Sequence, residues 1–235
     1  MRSAQTNIVR IIHVAVFLSA LMGATSCSNS AKQEAGPGAA PVGAACTPPA
    51  SYELSVNLFP QKASNWCWAA SSEMAMQSLG KEVEQCQQAN NAFSADCCCA
   101  PGTANCGKSR SISCNKPWWP ELEKYQFSER HTCRQAISWD ELKSQIACKK
   151  TPVLFSWLFG RTDNRPTNDV DCVLGGKGHM MVVKGYSEAN GEQIVVVNDP
   201  LQRVKRVTYG DYSGTSDDHH HWNDYYDINQ SGGIH

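Results

Sequence analysis

A thiol that acts as a nucleophile needs an imidazole to take its proton, a third group to orient that imidazole, and donors for the oxyanion formed on attack. Cys67 is the candidate thiol. It sits in Asn65-Trp66-Cys67-Trp68-Ala69-Ala70, where the spacing predicts a helix from Cys67 to Leu79. Ala69, Ala70, Met74, Ala75, Met76 and Leu79 supply its apolar face, Gly80 a stop, and Ser64 or Asn65 a cap. A cysteine in the first turn meets unpaired backbone N–H groups and the positive helix end, which favour the thiolate. Gln61 lies six positions earlier, where its amide could point at the oxyanion. Taken alone, a cysteine in a cysteine-rich chain is more often a half-cystine.

Two strands must bring the other groups to that helix. Gly178-His179-Met180-Met181-Val182-Val183-Lys184-Gly185-Tyr186 reads as a buried strand opening with a histidine. Asn190-Gly191 is a two-residue hairpin turn, and Gln193–Asn198 is a second apolar strand running into Asp199-Pro200. The hairpin can bring His179 near Asp199 or Asn198. A two-residue turn sets Val183 opposite Asn198 and Val182 opposite Asp199, which puts Asn198 on the His179 face; a loop longer by one residue reverses that parity and selects Asp199. Trp139–Ile146 reads as a helix with acidic residues in its first turn, and Thr151–Trp157 as a core strand. A helical first half thus carries Cys67, and a β-rich second half carries His179 and Asp199. A substrate cleft is expected between them, with the polar 160–177 loop nearby.

The order Gln-x5-Cys-Trp, a Gly-His strand, then Asn198-Asp199-Pro200 resembles the papain-like cysteine peptidases. In particular it resembles the bacterial branch related to bacteriocin-leader (double-glycine) peptidases and plant-pathogen effector cysteine proteases. The resemblance spans residues 52–227. It implies an α+β papain-like fold, with a helical subdomain packed on an antiparallel sheet and a disulfide-rich insertion. It implies Cys67 as nucleophile, His179 as base, Asp199 as orienting acid and Gln61 as oxyanion donor. A protein or peptide substrate, no cofactor and a monomer follow. Two other readings stand beside it: an amide transferase of the same fold, in which an amine resolves the thioester, and a non-catalytic, disulfide-stapled surface binding module.

Of 12 cysteines, ten remain after Cys27 and Cys67. Complete pairing is the expectation, because six of them crowd between Cys86 and Cys114 in a segment poor in apolar residues. A metal site at Cys97-Cys98-Cys99, Cys106 and Cys114 fits less well, since zinc favours separated Cys pairs. Asp217-Asp218-His219-His220-His221 lacks the spacing of a metal site and reads as a polar loop before a packing segment; no metal is expected. His131 reads as a surface residue.

Composition bounds the rest. With 235 residues, 18% charged and a net charge of −1, the chain can bury one substantial core and lacks the basic surplus of a nucleic-acid binder. Arg2 and Arg10 precede a short apolar run and then Gly23-Ala24-Thr25-Ser26, a secretory signal peptide over residues 1–26. Cys27 at the next position resembles the acylated cysteine of a bacterial lipoprotein. Ser28 after it points to the outer membrane, on either the periplasmic or the outer surface, with plain secretion as the alternative. Residues 27–51, rich in Ala, Gly and Pro, read as a flexible lipid-anchored linker, and 52–235 as the peptidase domain.

Overall fold

The structure, a computed structural model, describes residues 46–100, 105–106, 112–159, 177–201, 203–214 and 219–231. The signal peptide, Cys27, the linker up to residue 45, Asp217 and Asp218, and the polar loop over 160–176 lie outside these residues. The elements in chain order are β1 (Ser51–Glu53), α1 (Cys67–Ser78), α2 (Gln85–Phe93), β2 (Asn105–Cys106), β3 (Ile112–Ser113), β4 (Phe127–His131), α3 (Trp139–Lys143), β5 (Val153–Phe159), β6 (Lys177–Ala189), β7 (Glu192–Asp199), β8 (Arg203–Thr208), α4 (Tyr209–Ser213) and β9 (His219–Gln230). The fold is α+β, as expected. Seven strands form an antiparallel sheet in the order β4-β9-β5-β6-β7-β8, with β1 paired to β6 at Ser187–Gly185, beyond the stretch that β5 occupies.

The sheet is covered on both faces, which explains why β5 is buried at nearly every position rather than at alternate ones. On one face α1 and α2 pack Trp68, Ala69, Met74 and Met76 against Leu154, Met180 and Val182. On the other, α3, the turn after it and α4 pack Leu142, Ile146 and Tyr212 against Phe155, Met181, Val183 and Val197. Burying these aliphatic and aromatic side chains is the main stabilising contribution, about 1.5–3 kcal/mol for each fully buried one. Most of α1, from Trp68 to Met76, is buried. Ala69, Ala70, Met74, Ala75 and Met76 are fully enclosed, so the helix end that carries Cys67 is held by the core itself.

Gly80 stops α1 as expected. It adopts φ +91°, its N–H donates to Gln77, and the Lys81 N–H donates to Met76, closing a Schellman motif. The start of α1 differs from expectation. Trp66, not Ser64 or Asn65, is the N-cap, and no side chain caps the helix. Ser64 and Asn65 are instead engaged by Asn115: its Oδ1 accepts from the Asn65 N–H, its Nδ2 donates to Ser64 Oγ, and its carbonyl accepts from Asn65 Nδ2.

Disulfides rivet the insertion and the N-terminal approach. Cys86–Cys99 and Cys98–Cys114 hold the loop after α2. Cys46–Cys148 closes a sequence separation of 102, and Cys97 and Cys133 are disulfide-bonded as well. The sulfurs considered for a metal at Cys97, Cys98, Cys99 and Cys114 are thereby spent. Residues 46–51, expected to end the linker, are instead fastened to the sheet: Tyr186 Oη donates to the Pro49 carbonyl, and the Glu188 N–H to that of Ala50. The histidine run also differs from a polar loop. His219–His221 begin β9, and buried His221 donates from Nδ1 to the Tyr212 carbonyl at 2.6 Å. Interior β-sheet pairing with β5 outweighs the polarity of the run.

Candidate active site

Cys67 is the one free cysteine among the described residues, partly exposed at the first position of α1. His179 reaches it from β6. The imidazole lines the same cleft as the Cys67 thiol, which favours its charged form, and its Nε2 lies 2.6 Å from Asp199 Oδ1. With Nε2 committed to the carboxylate, Nδ1 is the ring nitrogen left for the sulfur. Burial of the ring opposes its charge. The Asp199 and Cys67 contacts outweigh burial and raise the His179 pKa from 6.5 to about 9. The arrangement therefore favours a charged imidazolium beside the Cys67 sulfur at neutral pH.

Asp199 is fully buried at the end of β7. Its burial penalises the charge, but its partners reverse that and hold the carboxyl well below the usual range. Oδ1 accepts from His179 and from the Leu201 N–H at 2.9 Å. Oδ2 accepts from Lys205 Nζ at 2.6 Å and Arg203 Nε at 3.1 Å. The cations reach it because Arg203 pairs with Asp199 across the β7–β8 ladder, and Lys205, two residues on, shares its face. Neither basic residue stood out in the sequence. Their signal was the alternation Arg203-Val204-Lys205 directly after the Asp-Pro turn.

Of the two candidates for the third group, the structure brings Asp199 and not Asn198 to His179. The Asn190-Gly191 turn is the expected two-residue one, with φ +54° and +80° and Ala189 opposite Glu192. The pairing is broken farther along. Gly185 faces Val196 while Val183 faces Val197, so Lys184 is an extra residue in β6. That bulge sets Val182, not Val183, opposite Asn198, and Asp199 falls on the His179 face. Asn198 points into the α1 side of the core, where its Nδ2 donates to the Val56 carbonyl at 3.0 Å.

Gln61 lines the same cleft, of about 400 Å³, as Cys67 and His179. Its amide is not free, however. Nε2 donates to its own loop, to the Ser64 carbonyl at 2.7 Å and the Ala63 carbonyl at 3.0 Å, while Oε1 is buried without a partner among the described residues. The Gln61 loop is anchored on three sides. The Gln61 N–H donates to Pro200, next to Asp199. Buried Gln85 accepts from the Lys62 N–H and donates to the Pro60 carbonyl and to Glu73 Oε2. Asn115 holds Ser64 and Asn65. Burial raises the Glu73 pKa against the Gln85 hydrogen bond. Gln85, Glu73 and Asn115 are supports that no sequence spacing indicated.

Residues 53–230 match the model of the Peptidase_C39 like family. The chain belongs to that family. Among solved structures it is similar to a mite allergen from work on antibody cross-reactivity between Blo t 1 and Der p 1, with 12% identity, 79% of this chain and 73% of that chain covered, and a TM-score of 0.44. It is also similar to the peptidase domain of Streptococcus ComA, a bifunctional ABC transporter of a quorum-sensing pathway. There the identity is 12%, the coverage 77% of this chain and 99% of the other, and the TM-score 0.38. No curated protein matches the chain in sequence. Membership in the family rests on the match over 53–230, and the cysteine-peptidase type of fold comes with it.

Proposed function

We propose that the protein is a cysteine peptidase in which Cys67 is the nucleophile, His179 the general base and acid, and Asp199 the group that orients the imidazole. The observation that carries this reading is the contact chain from a reduced cysteine at an uncapped helix start, through His179, to a buried carboxylate. The Cys67 thiolate attacks the scissile carbonyl carbon, forming the C–S bond and an oxyanion. The N–H groups at the head of α1, which no side chain caps, donate to that oxyanion. Gln61 joins them by exchanging one of its two carbonyl partners for it. His179 gives its proton to the departing amine, then takes one from the water that releases the acyl group from sulfur.

A peptide library incubated with the oxidised, mature domain should yield cleaved products with the wild-type protein and none with Cys67→Ala. Wild-type cleavage that persists in Cys67→Ala would overturn the proposal. Export fits the disulfide bonds, which form in oxidising compartments. The outer-membrane lipid anchor at Cys27 is part of the same proposal, and an acylated mature N-terminus seen by mass spectrometry would support it.

A further inference from the structure

Asp199 bears more positive charge than orienting an imidazole requires. In the ion-pair state the cationic groups are the His179 imidazolium, Arg203 and Lys205, and they face two anions, the Cys67 thiolate and Asp199. The carboxylate has four partners, which fills its two oxygens. Lys205 is spent: its side chain is 23% exposed, its ammonium lies against Asp199, and it sits 5.9 Å over the Trp157 ring. Arg203 is different. Only Nε is engaged, the side chain is 59% exposed, and the two terminal nitrogens have no hydrogen-bond partner among the described residues. Because Nε is pinned, the planar fork beyond it is held in place at the cleft wall rather than swinging freely. Among the described residues lining that cleft there are two basic side chains besides His179, and no Asp or Glu.

The order of the groups says which part of a substrate meets this fork. The acyl carbon bonds to Cys67, and the amine takes its proton from His179. The chain after the scissile bond therefore starts on the His179 side, and Leu201 and Arg203 line the same cleft. We propose that Arg203 reads a carboxylate on the leaving segment of the substrate, either an Asp or Glu side chain shortly after the cut or the free C-terminus of the peptide. Guanidinium and carboxylate match as a two-pronged pair, and the surplus charge of the cleft adds to it. Lys205 acts through Asp199, neutralising it so that Arg203 keeps charge to spare. This inference rests on the peptidase reading and narrows its substrate class.

The test is a proteome-derived peptide library, prepared with free C-termini and again with amidated ones, digested by wild type, Arg203→Gln and Arg203→Glu. Cleavage sites are read by mass spectrometry. The measures are the enrichment of Asp and Glu over the neutral isosteres Asn and Gln, and of cuts within three residues of the C-terminus over internal cuts, each taken within one digest so that any general loss of rate through Asp199 cancels. Wild type should enrich for carboxylates in the first three positions after the cut by about fivefold, the strength of a well-placed, part-exposed ion pair. Arg203→Gln should abolish the enrichment, and Arg203→Glu should turn it toward Lys and Arg. Loss on amidation alone identifies the C-terminus as the source; persistence on amidation identifies the side chain. Cleavage without acid preference, or a preference unchanged in Arg203→Gln, overturns the proposal and leaves the peptidase reading standing. No cleavage by any of the three proteins overturns both.

Discussion

At the scale of the residue, the protonation of His179 and Asp199 sets the pH behaviour. His179 titrates at about 9, above its ordinary 6.5. Its contribution to stability is therefore complete below about 6.5 and lost as pH rises through about 9. Asp199 is depressed below its ordinary 3.8, so its contribution is complete above about 3.8 and lost as pH falls through its depressed pKa. Activity should follow the same imidazolium and fall on an alkaline limb near pH 9. Replacing Asp199 separates the two neighbours that could serve as the third group. Asp199→Asn should lower kcat by about 10²–10⁴ and move the alkaline limb down, because the imidazolium loses its anion. Asn198→Ala should keep that limb in place and cost about 1–3 kcal/mol of stability, for its buried bond to Val56. A pH–rate profile and a urea melt of each variant check both. A limb shift in Asn198→Ala and none in Asp199→Asn would reverse the assignment.

At the scale of the element, one residue in β6 decides which side chain reaches the imidazole. The bulge at Lys184 is followed by Gly185, where a Cβ would lie 2.9 Å from the Tyr52 carbonyl oxygen and about as close to the Glu53 side chain. The glycine lets β1 lie against β6 next to the irregularity, and Leu54 N–H takes up the Lys184 carbonyl at 2.7 Å. Gly185→Ala should destabilise the domain by about 1–3 kcal/mol, read as a lower urea midpoint, since the obstacle is backbone that cannot swing aside. An unchanged midpoint would show that β1 yields freely. This junction also marks where the sequence stopped being legible. The helix at Cys67, the strand at His179, the Asn190-Gly191 turn and the approach of Asp199 are local patterns, written in apolar spacing and turn chemistry. The parity between His179 and Asp199 depends on a bulge that answers to β1, about 130 residues earlier in the chain, and alternation within β6 carries no trace of it. The capping of α1 was misplaced for a similar reason. Asn115, fifty positions away, competes for Ser64 and Asn65.

At the scale of the whole molecule, the disulfides do more than staple a loop that is poor in core residues. Cys98–Cys114 fixes the segment whose Cys114 carbonyl accepts from Trp66 Nε1 at 2.6 Å and whose Asn115 grips the loop before Cys67. Pro117, three residues on, lines the cleft. The paired variant Cys98→Ser with Cys114→Ser should lose about 2–4 kcal/mol of stability. It should also lose activity while still folded, because the Gln61–Asn65 loop gives up one of its three anchors. A calorimetric melt and an assay well below the new Tm separate the two effects; full activity in the folded variant would confine this bond to stability.

All of this depends on a sulfur that is reduced, ionised and beside an imidazole. The most direct test is the rate of carboxamidomethylation of Cys67 by iodoacetamide across pH in the oxidised, native protein, with the labelled peptide identified by mass spectrometry. The account predicts one modified cysteine per chain, Cys67, reacting fast at pH 6–7, where an ordinary thiol is largely protonated, and slowing to the rate of a free thiol in His179→Ala. A Cys67 found in a disulfide, or one whose labelling rises only with the titration of an ordinary thiol and is indifferent to His179, would contradict it.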